Sequence, residues 1–173
     1  TFAAFPLWYA SLFSTLYLPL VLVLLGLIFR AVSIEYRGKG ATERWTRFWD
    51  FSIGIGSLVV AFGIGAALAL TTTGLPINEN GDRVGGPFVW LNGYAILGGL
   101  AVIGFCLVHG AAFLALKTDG EMRVRAGRLA RTLSLVATVL AGGWAVWAQL
   151  AYSVTWTWAA VAVAAACLVG VVV

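Results

Sequence analysis

The fold of this chain is decided by residues 7–29, LWYASLFSTLYLPLVLVLLGLIF. Fourteen of these residues are Leu, Ile, Val or Phe, and none of them is charged. A helix needs about 20 such residues to cross the ~30 Å apolar core of a bilayer, because each residue rises ~1.5 Å. The stretch is therefore predicted to be a membrane span, and Pro19 is expected to kink it.

Four more apolar runs follow the first. They cover residues 51–70, 88–116, 133–152 and 156–173. The run 88–116 is longer than one crossing needs, so its helix is expected to be tilted or to begin late, with Pro87 and Phe88 at the interface. The sequence thus predicts an all-α, polytopic transmembrane helix bundle with about five spans, arranged as a single helical domain over residues 1–173.

The composition supports a membrane location. The chain is 61% apolar and 10% charged, whereas an ordinary soluble domain is roughly 45–50% apolar and 25% charged. The net charge of +4 does not indicate a nucleic-acid partner, because the charges occur in bursts between apolar runs and not over a folded soluble face.

The basic residues predict the orientation. Residues 30–50 and 117–131 contain ten of the eleven Lys and Arg residues. An excess of these residues marks cytoplasmic loops. Both segments are therefore predicted to be cytoplasmic loops, and Trp8, Tyr9, Tyr152, Trp156 and Trp158 are predicted to lie near the outer surface.

The ionisable side chains offer little chemistry within the membrane. All seven carboxylates lie outside the apolar runs, whereas ion-coupled transporters generally place such a group inside the membrane. Asp50 stands at the entrance of the second run, where an acidic residue favours a helix N-terminus. No catalytic residue and no metal site are predicted.

His109 is the intramembrane polar candidate. It lies in the third run, about two turns from the cytoplasmic end, and three interpretations stay open: a hydrogen bond across helices, a role in a proton path, or ligation of haem iron. The chain has one His and one Met, Met122. With so few axial ligands, no cofactor is expected to be bound by this chain.

Small residues repeat at four-residue spacing, which allows close helix packing in membranes. The spacing does not say whether they contact each other or a partner chain. These residues are Ala61 and Gly65, Ala95 and Gly99, and Ala162, Ala166 and Gly170.

One segment resembles a known family. Residues 29–37, FRAVSIEYR, followed by Trp45 and by Trp49 and Asp50, are similar to the hallmark stretch of cytochrome bd-type quinol oxidase subunit II. The order and spacing of the family hold over roughly residues 1–150. The flanking residues that agree are FAAFP at 2–6, Tyr9, Gly56, Ser57, Pro87, Phe88, Gly93, Gly110, Thr118, Gly120, Glu121 and Arg125.

The resemblance implies a haem-free subunit of a multi-pass complex in the bacterial inner membrane. Such a complex oxidises quinol, reduces dioxygen to water with protons from the cytoplasm, and generates a proton-motive force. It is a quinol:oxygen oxidoreductase, and this chain would be a non-catalytic subunit. The two b-type haems and the d-type haem belong to the partner, subunit I. Small accessory subunits, membrane lipid and quinone are further expected partners.

The resemblance also assigns candidate residues. Arg30, Glu35, Arg37, Trp49 and Asp50 are structural or subunit-contact candidates, because an arginine and a glutamate near a helix end can pair and hold that end against a neighbour. A direct role in proton transfer stays open as the alternative, above all for Glu35.

Two further expectations concern the second basic segment and the chain ends. Glu121 and Arg125 are expected to anchor the second cytoplasmic loop. The family implies that both ends of the sequence are cuts and that two helices precede Thr1. A fragment of a membrane transporter and a non-enzymatic membrane assembly subunit remain as alternatives.

Overall fold

A computed structural model of the chain describes residues 3–40, 42–75, 77–80, 84–152 and 157–172, with side chains up to residue 167. The described part contains six helices. They are α1 (Pro6–Thr15), α2 (Tyr17–Arg37), α3 (Glu43–Thr73), α4 (Gly93–Lys117), α5 (Gly120–Tyr152) and α6 (Thr157–Val172).

The first apolar run is broken into two helices. α1 ends at Thr15 and α2 begins at Tyr17, with Leu16 between them at φ −93° and ψ 14°. In a continuous helix, the ring of Pro19 would clash with the carbonyl of Thr15, four residues earlier. Proline also has no N–H to donate to that carbonyl. The kink expected at Pro19 is therefore a break one turn before it. α2 alone has 21 residues and a length of ~31 Å, enough to cross a bilayer.

Four helices, α2, α3, α4 and α5, have the length and hydropathy of membrane spans. α6 is a shorter apolar helix of 16 residues. α4 begins late in its run, at Gly93. Asn92 caps its N-terminus, because its side chain accepts a hydrogen bond from the Ala95 N–H at 2.7 Å. The predicted fold class, an all-α polytopic membrane protein, is confirmed, and the single domain stays a prediction. Trp156 lies outside the described residues.

The two basic segments were predicted to be loops, and this prediction is wrong. Both segments are helical hairpins. α2 continues past Phe29 to Arg37, and α3 begins at Glu43, well before its apolar run. α5 likewise begins at Gly120. Continuing the helices pairs backbone groups that a loop would leave to water, and the Thr42 hydroxyl caps α3 by accepting from the Trp45 N–H at 3.4 Å.

The spans alternate in direction, so both hairpins lie at the same end of the bundle. α3 packs between α2 and α4, and α4 packs against α5. At the opposite end, the hydroxyls of Thr72 and Tyr94 lie 3.3 Å apart. Tyr94 also contacts the rings of Trp144, Trp147 and Tyr152 there.

Glycines mark the closest helix contacts. A Cβ on Gly65 of α3 would lie 2.8 Å from the Gly98 carbonyl oxygen and 2.9 Å from the Gly99 Cα on α4. A Cβ on Gly56 would lie 2.8 Å from the Gly26 carbonyl oxygen on α2. The small residues around Gly65 and Gly99 thus pack within the chain.

The remaining small-residue series is not used in this way. Ala162 and Ala166 of α6 are exposed on this chain. Gly170 lies beyond the residues whose side chains are described.

The most buried side chains lie where the start of α2, the end of α3 and the start of α4 meet. Leu70 is 1% exposed, and Ala66 and Ala95 are fully buried. Leu16 and Trp90 complete this core.

Candidate functional site

The hairpin of residues 30–50 carries most of the predicted site residues. It consists of the last two turns of α2, the connection 38–42 and the first two turns of α3. We call it the basic hairpin. Its polar side chains lie past the apolar part of the helices, where water and lipid headgroups can reach them.

One ion pair links the two helices of the basic hairpin. Arg37 of α2 donates to both carboxylate oxygens of Asp50 on α3, and the longer bond, from Nη2 to Oδ2, measures 3.4 Å. The side chains are 51% and 48% exposed. Asp50 lies two turns inside α3, so the expected role at a helix N-terminus is wrong, and its partner is a cation across the hairpin.

Glu35 was expected to pair with an arginine, but it pairs with a lysine. The Lys39 ammonium lies 2.7 Å from the Glu35 carboxylate, four residues earlier, and 4.7 Å from the centre of the Tyr36 ring. The hydrogen bond that the Lys39 ammonium donates to Glu35 raises the pKa of Lys39 above its ordinary value. The four-residue spacing was visible in the sequence and is the signal that could have identified this pair.

Aromatic side chains hold the two helices of the basic hairpin together. Trp49 of α3 lies 5.8 Å from Tyr36 of α2 and 5.5 Å from Trp45, measured between ring centres. The Trp45 indole N–H donates to the Tyr36 carbonyl at 2.9 Å. Trp49 is thus a packing residue of the hairpin, and its indole N–H is buried without an acceptor in the described part of the chain.

Arg30 makes no ion pair with a described residue. It lies on α2 next to the closest α2–α3 contact, and its Cβ is 3.5 Å from the position that a Cβ on Gly56 would take. The side chain is exposed.

The second hairpin, residues 117–131, also contains an ion pair between residues four positions apart on one helix. Arg125 donates to Glu121, one turn earlier on α5, at 3.1 Å. Both side chains are strongly exposed. The pair stabilises the start of α5 and, because both residues belong to α5, does not link it to α4.

His109 lies on an exposed face of α4. Its ring stacks on Phe105, with ring centres 6.0 Å apart and planes inclined by 17°. Among the described residues it forms no hydrogen bond to another helix. The three interpretations of His109, a hydrogen bond across helices, a proton path and ligation of haem iron, stay predictions.

The described residues do not form a haem pocket. Haem needs an axial ligand inside an enclosing pocket, but His109 is exposed and Met122 is 57% exposed near the start of α5. Within the described ranges, no three His, Cys, Asp or Glu side chains come together as a metal site. These residues do not fit the haem group.

Exchanging the charges of Arg37 and Asp50 tests the link across the basic hairpin. Asp50→Asn is expected to lower the melting temperature of the purified protein, and Arg37→Asp combined with Asp50→Arg is expected to restore part of it. The shift should be small because water screens a half-exposed pair. Arg47→Gln, which breaks a pair with Glu43 inside α3, is the control. An unrestored double variant contradicts this link.

Together, these features define a class: a polytopic α-helical membrane protein most of whose charged groups lie in two hairpins at one end. The family model described as "Cytochrome bd terminal oxidase subunit II" matches residues 1–173, and the chain belongs to this family.

Named relatives agree with the family. The chain is 38% identical over 132 residues to "Cytochrome bd ubiquinol oxidase subunit 2" of Bacillus subtilis (strain 168), covering 76% of this chain and 39% of the relative. It is 37% identical over 150 residues to "Cytochrome bd-I ubiquinol oxidase subunit 2" of Escherichia coli (strain K12), covering 83% of this chain and 40% of the relative. The chain thus spans about 40% of the length of these curated relatives.

Proposed function

We propose that this chain is part of the haem-free membrane subunit of a cytochrome bd-type oxidase in the bacterial inner membrane. The complex couples quinol oxidation to the reduction of dioxygen to water and generates a proton-motive force. The observation that carries the proposal is the family match over residues 1–173. The proposal places the two b-type haems and the d-type haem in a partner, subunit I.

The role proposed for this chain is structural. α5 has 33 residues, and only Ala126 and Gln149 are buried among them. An apolar helix with such an open surface can pack against another membrane chain. Arg37, Trp49 and Asp50 hold the ends of α2 and α3 together, and Arg30, Glu35, Glu121 and Arg125 stay candidates for contacts at the same membrane surface.

The orientation is part of the proposal. Both hairpins lie at one end of the bundle, and together they carry ten of the eleven basic residues. We propose that this end is cytoplasmic, because basic residues accumulate on that side. Protons consumed in dioxygen reduction would then come from the side on which the basic hairpin lies.

A reduced-minus-oxidised visible spectrum tests the function. The full-length protein, purified with its partners from membranes, is expected to show the long-wavelength band of a d-type haem and to copurify with a larger, histidine-bearing subunit. Membranes from a strain lacking this protein should lose the band and the oxidation of quinol by dioxygen. Purification without any haem protein would contradict the oxidase proposal and favour a transporter or an assembly protein.

A further inference from the structure

An apolar groove runs along one side of the α2–α3 pair. Its part nearer the basic hairpin has a volume of about 420 Å³ and is lined by residues that include Phe29, Phe48 and Ile55. The next part has a volume of about 340 Å³ and ends near Trp90. Both parts are lined by Leu22 and Val59. The two parts adjoin at these residues, and we call them together the α2–α3 groove.

The dimensions of the α2–α3 groove suit a hydrocarbon chain. From Phe48 to Phe62, α3 rises ~21 Å, which exceeds the ~15 Å that one leaflet of a ~30 Å apolar core contributes. Its lining is almost entirely apolar. The length and the apolar lining suit a single extended acyl chain.

The charges near the α2–α3 groove leave a cation available. The basic hairpin carries five cations and three carboxylates. Ion pairs join Arg37 to Asp50, Lys39 to Glu35 and Arg47 to Glu43. In the described part of the chain, Arg30 and Arg44 have no carboxylate within 4.0 Å.

Arg44 lies at the hairpin end of the α2–α3 groove. It precedes Phe48 by four residues and Ile55 by eleven, which places the three residues on one face of α3. Arg44 is exposed, and both Phe48 and Ile55 line the groove. A positive charge therefore lies one turn beyond the lining of the groove, on the same face of α3 and at the end where the basic hairpin lies.

We propose that the α2–α3 groove binds one anionic phospholipid, with its phosphate at Arg44 and an acyl chain along Phe48, Ile55 and Val59. An unpaired guanidinium is a good partner for phosphate because its N–H groups match the phosphate oxygens. The apolar walls exclude a charged ligand without a hydrocarbon chain. The proposal depends on the membrane fold of the chain and does not depend on the oxidase activity.

Native mass spectrometry of the full-length complex tests the proposal. The delipidated complex is incubated with palmitoyl-oleoyl phosphatidylglycerol or with the matching phosphatidylcholine, and bound lipids are counted. The wild-type complex is expected to retain one phosphatidylglycerol more tightly than phosphatidylcholine. Arg44→Gln should weaken that binding about fivefold, as removal of one cation at a membrane surface does. Ile55→Trp, which fills the groove, should abolish retention of this lipid.

Two control variants separate the groove from general surface effects. Arg123→Gln removes an exposed cation from the second hairpin, and Leu68→Trp adds bulk to an exposed position of α3. Both should keep the bound lipid. The proposal is overturned if Arg123→Gln weakens binding as much as Arg44→Gln, or if Ile55→Trp keeps the lipid. It is also overturned if the wild-type protein retains no lipid. If Ile55→Trp then also blocks assembly, protein covers the groove.

Discussion

Replacing Leu70 by alanine is expected to destabilise the protein by about 2–5 kcal/mol, the range for removing a buried leucine side chain. Leu70 is 1% exposed and contacts the core formed with Leu16, Ala66, Trp90 and Ala95. Inside a membrane, dispersion contacts provide most of this energy, because lipid is as apolar as leucine. The measurement is the unfolding of the purified full-length complex in detergent, followed by heating or by added denaturant.

Leu68→Ala is the matched control for Leu70. Leu68 lies on the same helix and is 57% exposed, so its removal leaves no cavity within the bundle. It should change the stability by much less than Leu70→Ala. Equal losses for the two variants would contradict the burial of Leu70 in the core.

Replacing Gly65 by alanine is expected to destabilise the protein by about 1–3 kcal/mol, the range for overpacking a close contact. The added Cβ would lie 2.8 Å from the Gly98 carbonyl oxygen and 2.9 Å from the Gly99 Cα. Both neighbours are backbone atoms, so α3 and α4 must move apart and lose contacts along their length. The melting temperature and the yield of assembled complex should both fall.

Gly54→Ala is the control for Gly65, because a Cβ on Gly54 meets nothing within 4 Å. Alanine also favours a helix over glycine, so this variant should be neutral or slightly stabilising. If Gly65→Ala were as stable as Gly54→Ala, the close contact of α3 with α4 at Gly98 would be wrong.

The helix content of the fold was largely predictable from the sequence, but the ends of the helices were not. Apolar runs mark where a chain enters the bilayer, because insertion depends on summed local hydrophobicity. They do not mark where helices end in water or headgroups. α2 reaches Arg37 and α5 begins at Gly120 because polar residues continue the backbone hydrogen bonds beyond the membrane.

The sequence predicted most residues of the candidate site, but it did not predict which of them form ion pairs with each other. Arg37 and Asp50 were both candidates, yet their contact depends on the register of the hairpin, which spacing alone does not provide. Glu35 was expected to pair with an arginine, and the nearer Lys39 takes that place. Arg44 was not a candidate, because only the ion pairs of its neighbours show that it remains unpaired.

The sequence by itself determined the membrane class, the all-α architecture and the resemblance to the oxidase subunit, because hydropathy and motif spacing are properties of the chain alone. It also carried the charge asymmetry from which we infer orientation. The tertiary structure decided which glycines meet, which charges pair across the basic hairpin, and where the α2–α3 groove opens. Each of these depends on how two helices are placed beside one another, and a contact between distant residues exists only once that placement is made.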